Sequence, residues 1–280
     1  MSVETLTSQR CFGGHVCFYR HHSAVTGTDM RFGVYTPPQA AQAKVPVLTY
    51  LAGLTCTEET FLIKAGALRF ASTLGLMLVA PDTSPRGLHL PGEDDDWDFG
   101  SGAGFYVNAT EAPWAGHYNM ADYVTEELPE LIAASFPARM DRQGIFGHSM
   151  GGHGALTLAL RNPGRFRSVS AFSPICNPCA VPWGTKAFSH YLGADEAKWA
   201  EWDASRLLRG HPLPMEILVD QGLGDQFLQA QLHPEALEAA AAESGQKLTL
   251  RRHPGYDHSY WFIQSFIEDH MNHHARLLQG

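Results

Sequence analysis

Gly147-His148-Ser149-Met150-Gly151-Gly152 is the stretch on which the reading of this chain turns. The apolar pair Ile145-Phe146 leads into it and Ala155-Leu156-Thr157-Leu158-Ala159-Leu160 leads away, a pattern of strand, sharp turn and helix. A serine at the apex of such a turn is held in a strained backbone conformation that lifts its hydroxyl out of the sheet. Strand and helix then approach so closely that only small residues fit two positions to either side. Gly147 and Gly151 stand there. The pentapeptide alone also fits an ordinary glycine-rich turn; its place between strand and helix makes Ser149 a candidate nucleophile.

Outward from this turn the apolar runs alternate with helical stretches. Residues 15–19 and 30–35, separated by the polar Thr26-Gly27-Thr28-Asp29, are predicted as two antiparallel strands at one edge of a sheet, the second ended by Pro37-Pro38. Residues 45–51 and 76–80 are near-continuously apolar, with a helical stretch over about 61–73 between them. Strands of that kind belong to a parallel sheet covered on both faces. A helix over 118–136, strands over 168–172, 216–219 and 247–251, and a final helix carrying Trp261, Phe262, Phe266 and Ile267 continue the pattern. The fold class is α/β, a mostly parallel central sheet with helices on both faces.

Residues 81–118 follow neither period and are predicted as a long loop insertion near the site. Trp97, Phe99, Phe105, Tyr106 and Trp114 argue against disorder there. The acidic run 93–98 reads as a solvated face or a hydrogen-bonding hub rather than a metal site. With no linker or charge block in its 280 residues, the chain reads as one domain, 1–280. A net charge of −9 leaves no basic patch for nucleic acid or anionic lipid. No apolar run is long enough to span a bilayer, no secretory signal is visible, and five cysteines form no framework, so a cytoplasmic protein with reduced thiols is expected.

In an open parallel sheet functional groups collect at the carboxyl ends of the strands. Ser149, Asp225 and His258 each lie just beyond a predicted strand, in the order nucleophile, acid, histidine that α/β-hydrolases use. A serine hydroxyl needs a neighbouring imidazole to take its proton, and the imidazole needs a carboxylate to fix its tautomer. Asp225 is preferred over Asp220 because Gly222-Leu223-Gly224 carries it beyond the sheet edge; Asp257 adjoins His258 and points elsewhere. The oxyanion of an acyl-transfer intermediate needs two amide donors. These fall to Met150, which follows the nucleophile, and to the turn after residue 51, where Leu54 is favoured over Gly53.

Cys56 sits two residues beyond Leu54, as either a packing residue or an alkylation-sensitive thiol lining the pocket. His148 and His153 flank the nucleophile, either against the pocket or packed in the core. Trp97 is placed with His148 and Cys56 in the substrate pocket. Cys176-Asn177-Pro178-Cys179 is one C-x-x-C pair without a thioredoxin-like context and reads as structural. His270, His273 and His274 share a helical face and could hold an adventitious metal, but no metal or other cofactor is expected for function.

Six motifs in order resemble the S-formylglutathione hydrolase (esterase D) family over almost the whole chain. They are Tyr50-Leu51-Ala52-Gly53-Leu54-Thr55-Cys56-Thr57-Glu58, Ala80-Pro81-Asp82-Thr83-Ser84-Pro85-Arg86-Gly87, Trp97-Asp98-Phe99-Gly100 with Gly104-Phe105-Tyr106-Val107, the stretch from Gly147 to Leu156, Phe172-Ser173-Pro174-Ile175-Cys176-Asn177-Pro178, and Tyr256-Asp257-His258-Ser259-Tyr260. The resemblance implies a cofactor-free cytoplasmic α/β-hydrolase, often a homodimer, that cleaves the thioester S-formylglutathione in formaldehyde detoxification, with Ser149, Asp225 and His258 as its triad. Ala52, Asn108 and Gln226 depart from residues common in the family, outside the triad. A promiscuous short-chain carboxylesterase, an acyltransferase on the same scaffold and a catalytically silent binding module are the competing readings. An intact Ser, Asp and His set argues against the last.

Overall fold

Nine strands form one sheet in the order β1-β2-β3-β5-β4-β6-β7-β8-β9 in the computed structural model, which describes residues 3–280. β1 (Glu4–Cys11), β2 (Gly14–His22) and β3 (Asp29–Thr36) make an antiparallel edge, and β3 runs antiparallel to β5 (Met77–Pro81). From β5 onward β4 (Val45–Leu51), β6 (Ala138–His148), β7 (Ser168–Phe172), β8 (Ile217–Gly222) and β9 (Leu248–His253) are parallel. Helices α1 (Glu58–Lys64) and α2 (Ala67–Leu74) follow β4, and α3 (Met120–Asp122) and α4 (Leu128–Ser135) precede β6. α5 (Met150–Arg161) follows β6, and α6 (Pro182–Tyr191), α7 (Glu196–Trp199) and α8 (Ala204–Gly210) lie between β7 and β8. α9 (Pro234–Ser244) precedes β9, and α10 (Tyr260–Gln279) ends the chain.

The continuous apolar character of the inner strands follows from burial on both faces. Along β4, Val47 and Leu51 join one core while Leu48 and Tyr50 join the other, and along β5 Met77 and Val79 separate from Leu78 and Ala80 in the same way. This is the two-residue period of a strand with helices on either side. Phe61 of α1, Ala71 of α2 and Ile267 and Met271 of α10 close one face; Leu156 of α5, Phe188 of α6 and Leu237 of α9 close the other.

Three elements differ from the sequence expectation, each for a local reason. The antiparallel edge has three strands, not two: β1 is polar and exposed along most of its length, so an outermost strand covered on neither face leaves no apolar period to read. The helix expected over 61–73 begins at Glu58, where Thr57 and Thr60 form a capping box, and breaks at Gly66, whose φ of 70° is left-handed. The helix expected over 118–136 contains a π turn at Tyr123–Glu127. Pro129 has no N–H to continue the α ladder there, and the Leu128 amide reaches back to the Tyr123 carbonyl.

Residues 82–117 are irregular but ordered by their own aromatic rings. Phe99 and Tyr118 stack on Tyr191 of α6, and Trp114 packs edge-on against all three. The acidic run acts as a hydrogen-bonding hub: buried Glu93 accepts from the Tyr118 hydroxyl at 3.0 Å and the Leu90 amide at 3.3 Å. Lys186 clamps Asp96 at 2.8 Å and Asp98 at 2.5 Å. No helix among the described residues is long and apolar enough to cross a membrane.

Candidate active site

Ser149 stands at the tip of β6 with φ 59° and ψ −120°, a conformation disfavoured for any side chain other than hydrogen. Its surroundings hold it there. The Ser149 amide donates to the Phe172 carbonyl at 3.0 Å, and its own carbonyl accepts from the amides of His153 at 3.0 Å and Ile175 at 3.3 Å. A Cβ on Gly147 would strike the Gly151 carbonyl, and one on Gly151 would strike the carbonyls of Leu51 and Ala52. The two glycines are therefore what lets strand and helix meet at this angle.

Asp225 and His258 lie on the loops after β8 and β9, and the backbone ties those loops together. The Leu223 amide donates to the His253 carbonyl at 2.9 Å, and the Gly224 amide to the Tyr256 carbonyl at 2.8 Å. His258 Nδ1 then donates to Asp225 Oδ2 at 2.5 Å. The Asp225 side chain is fully buried, and its other oxygen accepts from the Phe227 amide at 2.8 Å. With Nδ1 engaged by the carboxylate, the tautomer is set and Nε2 is left free to accept a proton.

Ser149 and His258 line one cavity of about 210 Å³, together with Gly53, Leu54, Cys56, Trp97, His148, Trp183, Phe227 and Tyr260. The structure thus gathers in one place Ser149, His258, Leu54, Cys56, His148 and Trp97 from the sequence reading, with Asp225 behind His258. Met150 is the first residue of α5, where a helix has no internal acceptor for its amide. Gly53 lies hard against Ser149, since a Cβ there would be 3.2 Å from the Ser149 Cβ. Both oxyanion candidates in that turn, Gly53 and Leu54, are consequently at the cavity.

Trp183, Phe227 and Tyr260 were not singled out from sequence. Phe227 and Tyr260 follow Asp225 and His258 by two residues each, a proximity that was readable; Trp183 opens α6 and carries no sequence signal. They build an aromatic wall. Trp97 packs edge-on against Trp183 at 5.7 Å, Trp183 against Phe227 at 4.7 Å, and Phe227 edge-on against His258 at 5.0 Å.

Cys56 is mostly buried, and burial pushes its thiol up despite hydrogen bonds with Thr60 and Tyr260 that pull the other way. His148 sits with its ring 4.4 Å from that of His258, and its buried Nε2 has no partner among the described residues. Burial, and then repulsion from His258, keeps His148 neutral. His153 instead packs in the core, bonded through Nε2 to the Phe105 carbonyl at 3.0 Å, and burial lowers its pKa to about 4.

Asp220 is spent elsewhere. It receives Arg251 through Nε at 2.6 Å and Nη2 at 2.5 Å, and lies 3.2 Å from both His270 Nε2 and His253 Nε2. Burial alone would raise its pKa, but the His270 and Arg251 hydrogen bonds outweigh it and hold the carboxyl well below the ordinary range. Asp257 is also spent locally, accepting from the Ser259 amide and hydroxyl at the start of α10.

The expectation that His270, His273 and His274 might gather a metal is corrected. The three rings lie against β7, and each is hydrogen-bonded there: His270 Nδ1 and His274 Nε2 share the Ser170 hydroxyl at 2.8 Å, His274 Nδ1 meets the Ser168 hydroxyl at 2.7 Å, and His273 Nε2 meets the Val169 carbonyl at 3.2 Å. Among the described residues no group of three or more His, Cys, Asp or Glu side chains is arranged to hold a metal ion. All five cysteines are free thiols.

With this geometry in view, comparison with known proteins is informative. The family described as "Putative esterase" matches residues 23–273. An S-formylglutathione hydrolase of Mus musculus is 55% identical over the full length of both chains, and one of Paracoccus denitrificans is 53% identical over 99% of each. The solved S-formylglutathione hydrolase of Agrobacterium tumefaciens superposes with a TM-score of 0.96 at 49% identity, covering 98% of this chain and 99% of that one.

Proposed function

The chain belongs to the S-formylglutathione hydrolase family of esterases, and from that membership we propose a mechanism in which Ser149, His258 and Asp225 cleave the thioester through an acyl-serine intermediate. The protein is a serine hydrolase that converts S-formylglutathione to formate and glutathione. The observation that carries the mechanism is the 2.5 Å bond from His258 Nδ1 to buried Asp225 Oδ2, with His258 and Ser149 facing one cavity.

Ser149 Oγ attacks the formyl carbonyl as its proton passes to His258 Nε2. Asp225 stabilises the resulting imidazolium. The tetrahedral oxyanion lies between the amides of Met150 and Leu54, each worth about 3–4 kcal/mol in the transition state. Collapse breaks the carbon–sulfur bond and releases glutathione, protonated from His258. Water then gives its proton to His258 and attacks formyl-Ser149; the ester bond to Oγ breaks, His258 returns the proton to Ser149, and formate leaves. Cys56 and the wall of Trp97, Trp183 and Phe227 bound the space beside the nucleophile, which suits a one-carbon acyl group.

The test is turnover of S-formylglutathione by the purified protein against S-acetylglutathione and p-nitrophenyl acetate, with Ser149→Ala as control. A preference for the formyl thioester, lost in Ser149→Ala, is the expected result. Better turnover of the oxygen ester would identify a general short-chain esterase. Full activity in Ser149→Ala would remove the assigned nucleophile. Five free thiols support a reducing, cytoplasmic setting, which fractionation would check; sedimentation would decide between monomer and the homodimer that the family resemblance implies.

A further inference from the structure

A second cavity, of about 570 Å³, opens at the same carboxyl edge of the sheet, over the end of β5 and the start of β3. Only the 54–57 turn separates it from the acyl cavity, since Cys56 lines one and Thr57 the other. Several of its charges are already matched: Arg20 binds Glu4 at 2.6 Å, and Arg86 binds Asp82 at 2.7 Å. Arg31, Glu58 and Glu59 also line it and have no ion-pair partner among the described residues. Glu58 is only 3% exposed. A buried carboxylate without a cation is costly unless something supplies one. Burial, with repulsion from Asp82, raises the Glu58 pKa against the pull of its own backbone amide and of Arg31.

A buried acceptor for a cation near a free guanidinium is a receptor for a zwitterion, and glutathione carries one at its γ-glutamyl end. The distances agree. In the order β6-β4-β5-β3 the cavity lies two to three strand spacings from Ser149, about 10–15 Å. The thioester sulfur sits on the central cysteine of glutathione, so the reach to the γ-glutamyl headgroup is about eight bonds, roughly 8–10 Å when extended, and a hydrogen bond at its end adds about 2.8 Å. On the other side of the nucleophile the wall is Trp97, Trp183 and Phe227, and the nearby Lys186 is held by Asp96 and Asp98. In the second cavity, unpaired groups of both signs stand together.

We propose that Arg31 and Glu58 form the subsite for the γ-glutamyl headgroup of S-formylglutathione, its α-carboxylate on the Arg31 guanidinium and its α-ammonium on the Glu58 carboxylate. This rests on the substrate reading above. It explains how a one-carbon acyl group is selected on a particular carrier: the chemistry is local to Ser149, and the carrier is read at its far end.

The test compares Arg31→Gln and Glu58→Gln with the parent protein on S-formylglutathione, on S-formyl-cysteinylglycine, which lacks the headgroup, and on p-nitrophenyl acetate. Each variant should lower the kcat/KM ratio of S-formylglutathione to p-nitrophenyl acetate at least tenfold, mainly through KM. Glutathione should weaken as a product inhibitor by a similar factor. S-formyl-cysteinylglycine should be as poor a substrate for the parent as for the variants. Arg31 is on the surface, so Arg31→Gln keeps the test valid if Glu58→Gln fails to fold. An unchanged ratio in Arg31→Gln, or equal losses on the truncated thioester, overturns the subsite. Failure of the parent protein itself to cleave S-formylglutathione removes the substrate reading, and the subsite with it.

Discussion

Asp225→Asn and Asp220→Asn alter two buried aspartates five residues apart, one on the loop after β8 and one within that strand, and the structure assigns them opposite outcomes. Asp225 spends one oxygen on His258 Nδ1 and the other on the Phe227 amide. An amide there keeps the bond from Phe227 through its own oxygen and presents N–H to the imidazole. The ring then turns its lone pair to Nδ1 and carries its proton on Nε2, where it no longer serves as a base. Loss of tautomer and of imidazolium stabilisation in such a site costs about 10⁴ in kcat, or about 5.4 kcal/mol at 1.36 kcal/mol per decade. The stability cost is small by comparison, about 1 kcal/mol for one altered hydrogen bond. Asp220→Asn instead strips the charge that Arg251 and His270 share, leaving the part-buried guanidinium with Asp269 as its one remaining ion-pair partner. That costs about 1–3 kcal/mol of stability, with kcat within a few-fold of the parent wherever the fold survives. Pre-steady-state bursts of p-nitrophenol from p-nitrophenyl acetate and thermal unfolding separate the two. Retention of more than a tenth of kcat in Asp225→Asn, or a 10⁴-fold loss in Asp220→Asn with an unchanged Tm, would refute the reasoning.

Gly151→Ala should fail to fold or lose more than about 3 kcal/mol, because its Cβ meets the carbonyls of Leu51 and Ala52 and a backbone cannot yield as a side chain can; a soluble, active variant measured by denaturant unfolding would count against the elbow argument. His153 and His273 are buried neutral, with pKa values lowered to about 4, below an unfolded value near 6.5. The unfolded chain therefore binds more protons between those limits, so stability should fall on acidification from about pH 6.5 to pH 4, by about 1.4 kcal/mol per pH unit for each group; urea midpoints flat across that window would contradict this. Because burial pushes the Cys56 thiol up, inactivation by iodoacetamide should be slow at pH 7 and rise about tenfold per pH unit above it. A fast, pH-independent loss, mapped to Cys56 by peptide mass, would show a thiolate where the structure places a thiol.

What was legible in the chain was what neighbours decide. The elbow around Ser149 is local chemistry, two glycines and a strand-to-helix change, and the inner strands announce themselves because burial on both faces leaves few polar positions. Asp225 and Asp220 were distinguishable only through the intervening glycine turn; the reason they differ lies 31 to 50 residues further on, in Arg251 and His270. β1 was missed because a polar edge strand has no hydrophobic period. Trp183 was missed because nothing near it in sequence belongs to the site. Arg31 and Glu58 stand 27 residues apart and share a cavity only because β3 folds back antiparallel beside β5.

The proposed catalytic groups and two of the rings that wall the cavity come from different parts of the chain. Ser149 follows the end of β6 and Asp225 and His258 lie on the loops after β8 and β9, anchored to the sheet, whereas Trp97 belongs to the irregular 82–117 segment and Trp183 to the helices inserted between β7 and β8. Such a partition separates what must be inherited from what is free to drift. A new acyl group can be accommodated by rewriting a surface segment while the machinery that attacks it stays untouched. For this scaffold, the economical route to altered selectivity is therefore exchange of those two segments, with the sheet and its three loop ends left as they are.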